Sequence, residues 1–128
     1  MTAFMQALDY EVLRATHPNV LIVGPDAAID HALRALLELC RQPVTTNERN
    51  HALVLPSRSN AGTLILPDVG HLSLNDQHRL LAWLEVPCGG AQVVATSVRP
   101  LYTCLHTGAF LERLYYRLNV VYLDLTAT

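Results

Sequence analysis

Three short runs, almost wholly apolar, set the limits on what this chain can become. Asn19-Val20-Leu21-Ile22-Val23, Thr63-Leu64-Ile65-Leu66 and Gln92-Val93-Val94-Ala95-Thr96 carry no charge and do not alternate polar with apolar residues. A strand with one face in water alternates. A strand that is apolar on both sides needs cover on both faces, which is the condition of a central strand in a parallel sheet. The segments between these runs have helical spacing instead. Phe4 to Thr16 brings Phe4, Leu8 and Leu13, and Met5 with Tyr10, roughly onto helical repeats, and His17-Pro18 ends the segment. Ala27 to Cys40 sets Leu33, Leu36, Leu37 and Cys40 on one face, with Asp26 or Asp30 near its start. Ser73 predicts the cap of a helix that runs to about Glu85, with Leu74, His78, Leu81 and Trp83 facing inward. A short helix is expected over Pro100–Leu105, stopped by Gly108, then a helix over Phe110–Leu118 and a closing strand over Val120–Leu125. Strands alternating with helices predict an α/β three-layer sandwich around a parallel five-stranded sheet.

The stretch from Arg41 to Ala61 is the least regular. Pro43–Thr46 admits a strand, His51–Leu55 admits either a strand or one helical turn, and Pro56–Ala61 reads as loop, as does Pro87-Cys88-Gly89-Gly90. The 128 residues are expected to form one domain, 1–128, and a hydrophobic share of 51% supplies its core.

Charge and residue usage exclude several chemistries. A formal net charge of −2 leaves no basic stripe, so direct DNA binding is not expected. No apolar run is long enough for a membrane span and the N-terminus lacks the layout of a secretory signal, so the cytoplasm is the expected location. All nine basic residues are arginine. Without lysine there is no Schiff base, no phosphate-loop ammonium and no lysine for a phospho-acceptor site. Cys40, Cys88 and Cys104 are far apart, without C-x-x-C spacing, and read as free thiols. His31, His71 and His78 are expected on a loop, a turn and a helix, as surface histidines and not as a metal site. No metal or other cofactor is expected.

Longer motifs carry more. Phe110 to Asn119 reads F-L-E-R-L-Y-Y-R-L-N, Gly62 to Gly70 reads G-T-L-I-L-P-D-V-G, and Leu74 to Leu81 reads L-N-D-Q-H-R-L-L. These resemble three blocks of the sigma-54-dependent activators, bacterial enhancer-binding ATPases of the AAA+ class: F-R-E-D-L-Y-Y-R-L-N-V, G-T-L-F-L-D-E-I-G and L-x-x-Q-x-R-L-L. Val20 to Gly24 sits where that family has V-L-I-x-G ahead of its phosphate loop. The resemblance covers roughly residues 4–125 and implies a P-loop NTPase core.

The departures from that pattern matter as much. A phosphate loop needs glycines, so that backbone N–H groups approach the phosphates, and a lysine and a hydroxyl. Here the stretch is Gly24-Pro25-Asp26-Ala27-Ala28-Ile29-Asp30-His31. Only Gly24 is kept, Asp30 stands where the lysine belongs, and His31 follows it. A carboxylate facing a phosphate oxygen at about 4 Å is repelled by about 4 kcal/mol at a surface-like dielectric. The acidic pair after the second apolar run is Pro67-Asp68, and the sensor asparagine aligns with Val98, preceded by Ser97. Of two arginines that reach a neighbour's nucleotide, the first aligns with Leu111 and the second with Arg117, while Arg113 replaces an aspartate. Arg117 has a simpler reading as a salt bridge to Glu112 or Asp124, and Asp26 and Asp30 as acids at a helix start. The G-A-F-T-G-A loop, the helical lid and the DNA-binding helices of the family have no counterpart in these residues.

The expectation is therefore a degenerate domain of transcription regulation, not an enzyme. Gly24, Asp30, His31, Asp68 and Ser97 mark its former nucleotide site, and Arg113, Tyr116 and Arg117 its interface. The expected partner is a sigma-54-type activator or a second copy of the chain. The alternative is a sensory domain whose cleft keeps weak binding of a nucleotide or, given the lost lysine, of a neutral or cationic small molecule.

Overall fold

The computed structural model describes residues 7–49, 51–57, 62–86 and 91–126. The elements follow as α1 (Ala7–Thr16), β1 (Val20–Val23), α2 (Asp26–Leu37), β2 (Val44–Thr46), β3 (Thr63–Leu66) and a 3-10 turn (Val69–His71). Then come α3 (Leu74–Leu84), β4 (Gln92–Ser97), α4 (Tyr102–Thr107), α5 (Glu112–Leu118) and β5 (Val121–Asp124). The strands form one sheet in the order β2-β3-β4-β1-β5, and every pairing is parallel.

The apolar runs are the three inner strands, and their two-residue period divides the core between two faces. Leu21, Val23, Leu64, Leu66, Val93 and Ala95 face α3 and α5, where they meet Leu80, Leu81, Trp83, Leu114 and Leu118, with Phe110 beside them. Val20, Ile22, Ile65 and Val94 face the other way, against Leu13 of α1 and Ile29, Ala32 and Leu36 of α2. Each such side chain contributes about 1.5–3 kcal/mol by leaving water. That gain requires helices on both sides, and it is what fixes the three layers.

Element ends follow local chemistry. Ser73 caps α3 by accepting from the Asp76 N–H at 3.1 Å. Gly108 ends α4 at φ 77°, in the left-handed region where a side chain would be strained. α2 stops at Leu37, earlier than the spacing predicts. Leu39 and Cys40 still reach the core, their N–H groups turned back onto the Leu36 and Leu37 carbonyls.

Two expectations are corrected. The inner stripe of α3 is Gln77, Leu80 and Leu81 with Trp83, whereas Leu74 and His78 are exposed. His78 lies one residue, about 100°, beyond the buried Gln77. Leu74 lies in the solvent-facing first turn. His51–Leu55 is neither strand nor helical turn. The Asn47 side chain takes the place of a pairing strand there: its Nδ2 donates to the Val54 carbonyl at 2.9 Å and its Oδ1 accepts from the Val54 N–H at 3.0 Å. Arg79 and Trp83 donate to the carbonyls of Leu53 and Pro56, which fastens this connection over α3. The expected start of the first helix at Phe4, and the loop at Pro87–Gly90, lie outside the described residues.

The amino ends of the strands are joined by two side-chain amides, the buried Gln92 and the half-buried Asn19. Gln92 donates to the Pro18 carbonyl at 2.7 Å and accepts from the Thr63 hydroxyl at 3.0 Å and the Arg41 N–H at 3.2 Å. Asn19 donates to the Arg117 carbonyl and accepts from the Val93 N–H, both at 2.8 Å. The carboxyl ends are left for a site, as is usual in open parallel sheets.

Candidate functional site

Gly24, Asp30, His31, Asp68 and Ser97, the residues expected to mark a former nucleotide site, lie on the segments that follow β1 and β3 or at the end of β4. Gly24 follows β1 and donates to the Ser97 carbonyl at 3.1 Å. A Cβ on Gly24 would stand 2.7 Å from Leu125 Cβ and 3.2–3.3 Å from the Leu125 backbone. The glycine is thus required by the close passage of the chain after β5. α2 begins at Asp26, directly after Pro25, so no loop intervenes. The stretch that aligns with a phosphate loop is helix: the Ile29 N–H is spent on the Pro25 carbonyl at 2.9 Å, and the Ile29 side chain is only 1% exposed. Asp30 and His31 are both exposed, and Asp30 borders the cleft on the side of Arg49.

After β3, Pro67 leads to Asp68, whose backbone is left-handed at φ 51°, ψ 51°. The Asp68 N–H reaches the buried Thr96 hydroxyl at 3.3 Å. Its carboxylate meets a residue that no sequence signal marked. Arg49, in the β2–β3 connection, places Nη1 2.9 Å from Asp68 Oδ2 and Nη2 2.9 Å from Asp26 Oδ1. The hydrogen bond to Asp26 is the main cause that raises the Arg49 pKa above its ordinary value; desolvation opposes it, and the charges of Asp68, Asp26 and Asp30 add to it. Asp26, Asp30 and Asp68 thus surround Arg49, and Arg34 lines the cavity beside Asp30.

Arg49 and Pro67 wall two cavities. One, of about 370 Å³, extends to Asp68, His71, Ser73 and Asp76. The other, of about 360 Å³, extends to Ile29, Asp30, Leu33 and Thr96. At the end of β4, the Ser97 hydroxyl donates to the Arg99 carbonyl at 2.6 Å and accepts from the Arg99 N–H at 3.3 Å. It is engaged in its own turn, and Val98 beside it is exposed.

The predicted interface residues come together on one face of α5. Arg113, Tyr116 and Arg117 are three and four residues apart, and Tyr116 is 63% exposed. Tyr116 stands edge-on to the half-buried Tyr115, with ring centres 5.5 Å apart. Arg117 pairs with neither Glu112 nor Asp124. Its partner is Glu85, at 3.4 Å, which also holds Arg113 at 2.6 Å. That correction has a simple reason: α5 packs along α3, so the end of α3 is nearer than residues adjacent in the sequence.

Among the described residues no group of three His, Cys, Asp or Glu side chains could hold a metal ion, and no helix is long and apolar enough to cross a membrane. His31 is on α2 and not on the expected loop, because the helix already begins at Asp26; His71 is on the 3-10 turn and His78 on α3, as expected. Cys40 is a buried free thiol, its pKa raised by burial against a weaker effect of the Thr63 hydrogen bond. Cys104 is a free, half-buried thiol, and Cys88 lies outside the described residues.

Comparison with known proteins points one way. The model of a family described as the sigma-54 interaction domain matches residues 4–128. The regulatory protein AtoC of Escherichia coli (strain K12) is 37% identical over 79 residues, which are 53% of this chain and 17% of AtoC. The sigma54-dependent transcriptional activator SfnR of Pseudomonas putida is 38% identical over 79 residues, 52% of this chain and 21% of SfnR. The chain thus matches about a fifth of the length of these curated relatives. Among solved structures, NtrX from Brucella abortus in complex with ATP superposes with a TM-score of 0.74 at 19% identity, over 99% of this chain and 38% of NtrX. A DNA polymerase III gamma subunit-related protein of Thermotoga maritima superposes with a TM-score of 0.59 at 14% identity, over 93% of this chain and 45% of that one. At such identities the likeness is one of fold.

Proposed function

Since this chain belongs to the sigma-54 interaction domain family, we propose that it is a non-catalytic domain of transcription regulation that acts through protein contacts. One observation carries the reading: α2 starts at Asp26, so the stretch that would cradle phosphate is helical and carries Asp30, which borders the cleft, where a lysine would be needed. Asp68 supports it from across the cleft. It is engaged by Arg49 at 2.9 Å and stands beside Pro67, which has no ligand to offer a magnesium ion. With Asp26, Asp30 and Asp68 against Arg49 and Arg34, carboxylates outnumber guanidiniums and a triphosphate meets repulsion. The contact surface in this reading is the exposed face of α5, where Arg113, Tyr116 and Arg117 stand side by side. Its partner is a sigma-54-type activator or a second copy of the chain.

Two measurements test it. Purified protein with Mg·ATP is expected to release inorganic phosphate no faster than buffer; saturable release that Asp68→Asn abolishes overturns the reading. Gel filtration and pull-down with an intact sigma-54-type activator are expected to reveal a complex or self-association, and a monomer that captures nothing counts against contact-driven action. A second reading, a cleft that takes a small molecule, draws on the cavity of about 370 Å³ beside Asp68. A thermal shift of several degrees with ATP, ADP or a small cation would favour it.

A further inference from the structure

We propose that Arg49 is an internal tie that divides the cleft, strapping the β2–β3 connection across the carboxyl ends of β1 and β3. The geometry is specific. A single guanidinium, on a residue with no regular structure, reaches one carboxylate after β1 and another after β3, each at 2.9 Å through a different nitrogen. Asp26 and Asp68 are 42 residues apart in sequence, and Arg49 is the side chain that joins them. Its stem and Pro67 also form the wall common to the two cavities of about 370 and 360 Å³.

The surrounding contacts show where the tie acts. The connection has other anchors at its two ends: the Asn47 N–H donates to the Ile65 carbonyl at 2.9 Å, the Asn47 amide holds Val54, and Trp83 holds the Pro56 carbonyl. Between Asn47 and Leu53, Arg49 supplies the ion pairs to the body of the domain. Among the described residues His51 and Glu48 pair with each other, at 3.3 Å and largely in water. Loss of the guanidinium therefore loosens the middle of the connection and leaves its ends attached. The pairs are partly exposed, with 40% of the Arg49 side chain in contact with solvent, so salt weakens them. The inference stands apart from the reading of a non-catalytic domain: a chain that hydrolyses nothing can have this tie or lack it.

Hydrogen exchange followed by mass spectrometry on the 128-residue protein tests it. Arg49→Met keeps the stem and removes the charge, and Asp68→Asn removes one grip. Both are expected to speed exchange in peptides spanning 47–54 at least threefold, with peptides of β1, β4 and α5 unchanged. Arg49→Lys is expected to fall between, since it keeps the charge without the fork. Raising NaCl from 0.05 to 0.5 M should move the wild type in the same direction. Unchanged exchange over 47–54 in Arg49→Met, or acceleration spread evenly over the molecule, overturns the proposal. Should Arg49→Met not fold, Asp68→Asn, Arg49→Lys and the salt series decide in the same terms. Phosphate release by the wild type bears on the other reading and leaves this one untouched.

Discussion

Glu85, the residue that ends α3, holds Arg113 of α5 at 2.6 Å. Arg117 approaches the same carboxylate oxygen at 3.4 Å, so the arginine that the family pattern assigns to a neighbour is engaged within its own chain. Glu85→Gln removes both pairs. Because the arginines are half or more in solvent, the loss is expected to be about 0.5–1 kcal/mol. Urea denaturation checks it, and 0.5 M NaCl should shrink the difference between variant and wild type.

Gln77 explains why the L-x-x-Q-x-R-L-L pattern keeps an amide. Its side chain is fully buried; Nε2 donates to the Leu72 and Ala109 carbonyls at 3.0 Å, and Oε1 accepts from the Leu111 N–H at 2.8 Å. It joins α3 to the segment between α4 and α5. Gln77→Leu keeps the bulk and orphans those three groups, at an expected cost of about 2–4 kcal/mol. Thermal and urea unfolding should both report it, and a cost below that of a surface substitution would refute the role.

Gly24 allows the chain after β5 to pass. Gly24→Ala puts a methyl 2.7 Å from Leu125 Cβ, with backbone behind it that cannot yield, and is expected to destabilise by about 1–3 kcal/mol. Leu125→Gly removes the obstructing atom. In a double-mutant cycle the pair should therefore cost less than the sum of the single changes. Additive costs would assign the glycine another role.

Cys40 gives the domain an alkaline sensitivity. Burial holds its thiol neutral above the usual thiol range, more strongly than the Thr63 hydrogen bond lowers it. The native state then keeps a proton that the unfolded state gives up. Its contribution is present in full below the unfolded thiol pKa, about 8.5, and is lost as pH rises from there through the folded value. The wild type should lose stability relative to Cys40→Ala over that window and not below it. Native Cys40 should also react with iodoacetamide more slowly than a free thiol at pH 8.5; equal rates would contradict the burial argument.

Much of the fold was legible because its signals are local. Val20–Val23 and Thr63–Leu66 declare two-sided burial in four residues each, and Ser73 and Gly108 act within one turn of their helices. The inner face of α3 was half legible: Leu81 and Trp83 face the core as their apolarity implies, but a polar Gln77 lies inside and an apolar Leu74 outside. Hydrogen-bond satisfaction decides the first and helix-end exposure the second, and neither is a matter of hydropathy. At the candidate site, alignment with a known pattern singled out Gly24, Asp30, His31, Asp68 and Ser97, and the fold brings their segments to the carboxyl ends of the strands. Arg49 was not, since a salt bridge to residues 23 positions before and 19 after leaves no periodicity in a loop. Glu85 escaped for the same reason, 32 residues from Arg117.

All five strands point the same way, which makes the two borders of the sheet unlike: β2 with three residues on one side and β5 with four on the other. Two molecules that met β2 to β5 would extend the sheet and leave a fresh border at each end, a contact that propagates into a filament. Molecules that met through like borders would turn one over, pair antiparallel about a two-fold axis, and stop at two. The brevity of both border strands disfavours the first kind of growth.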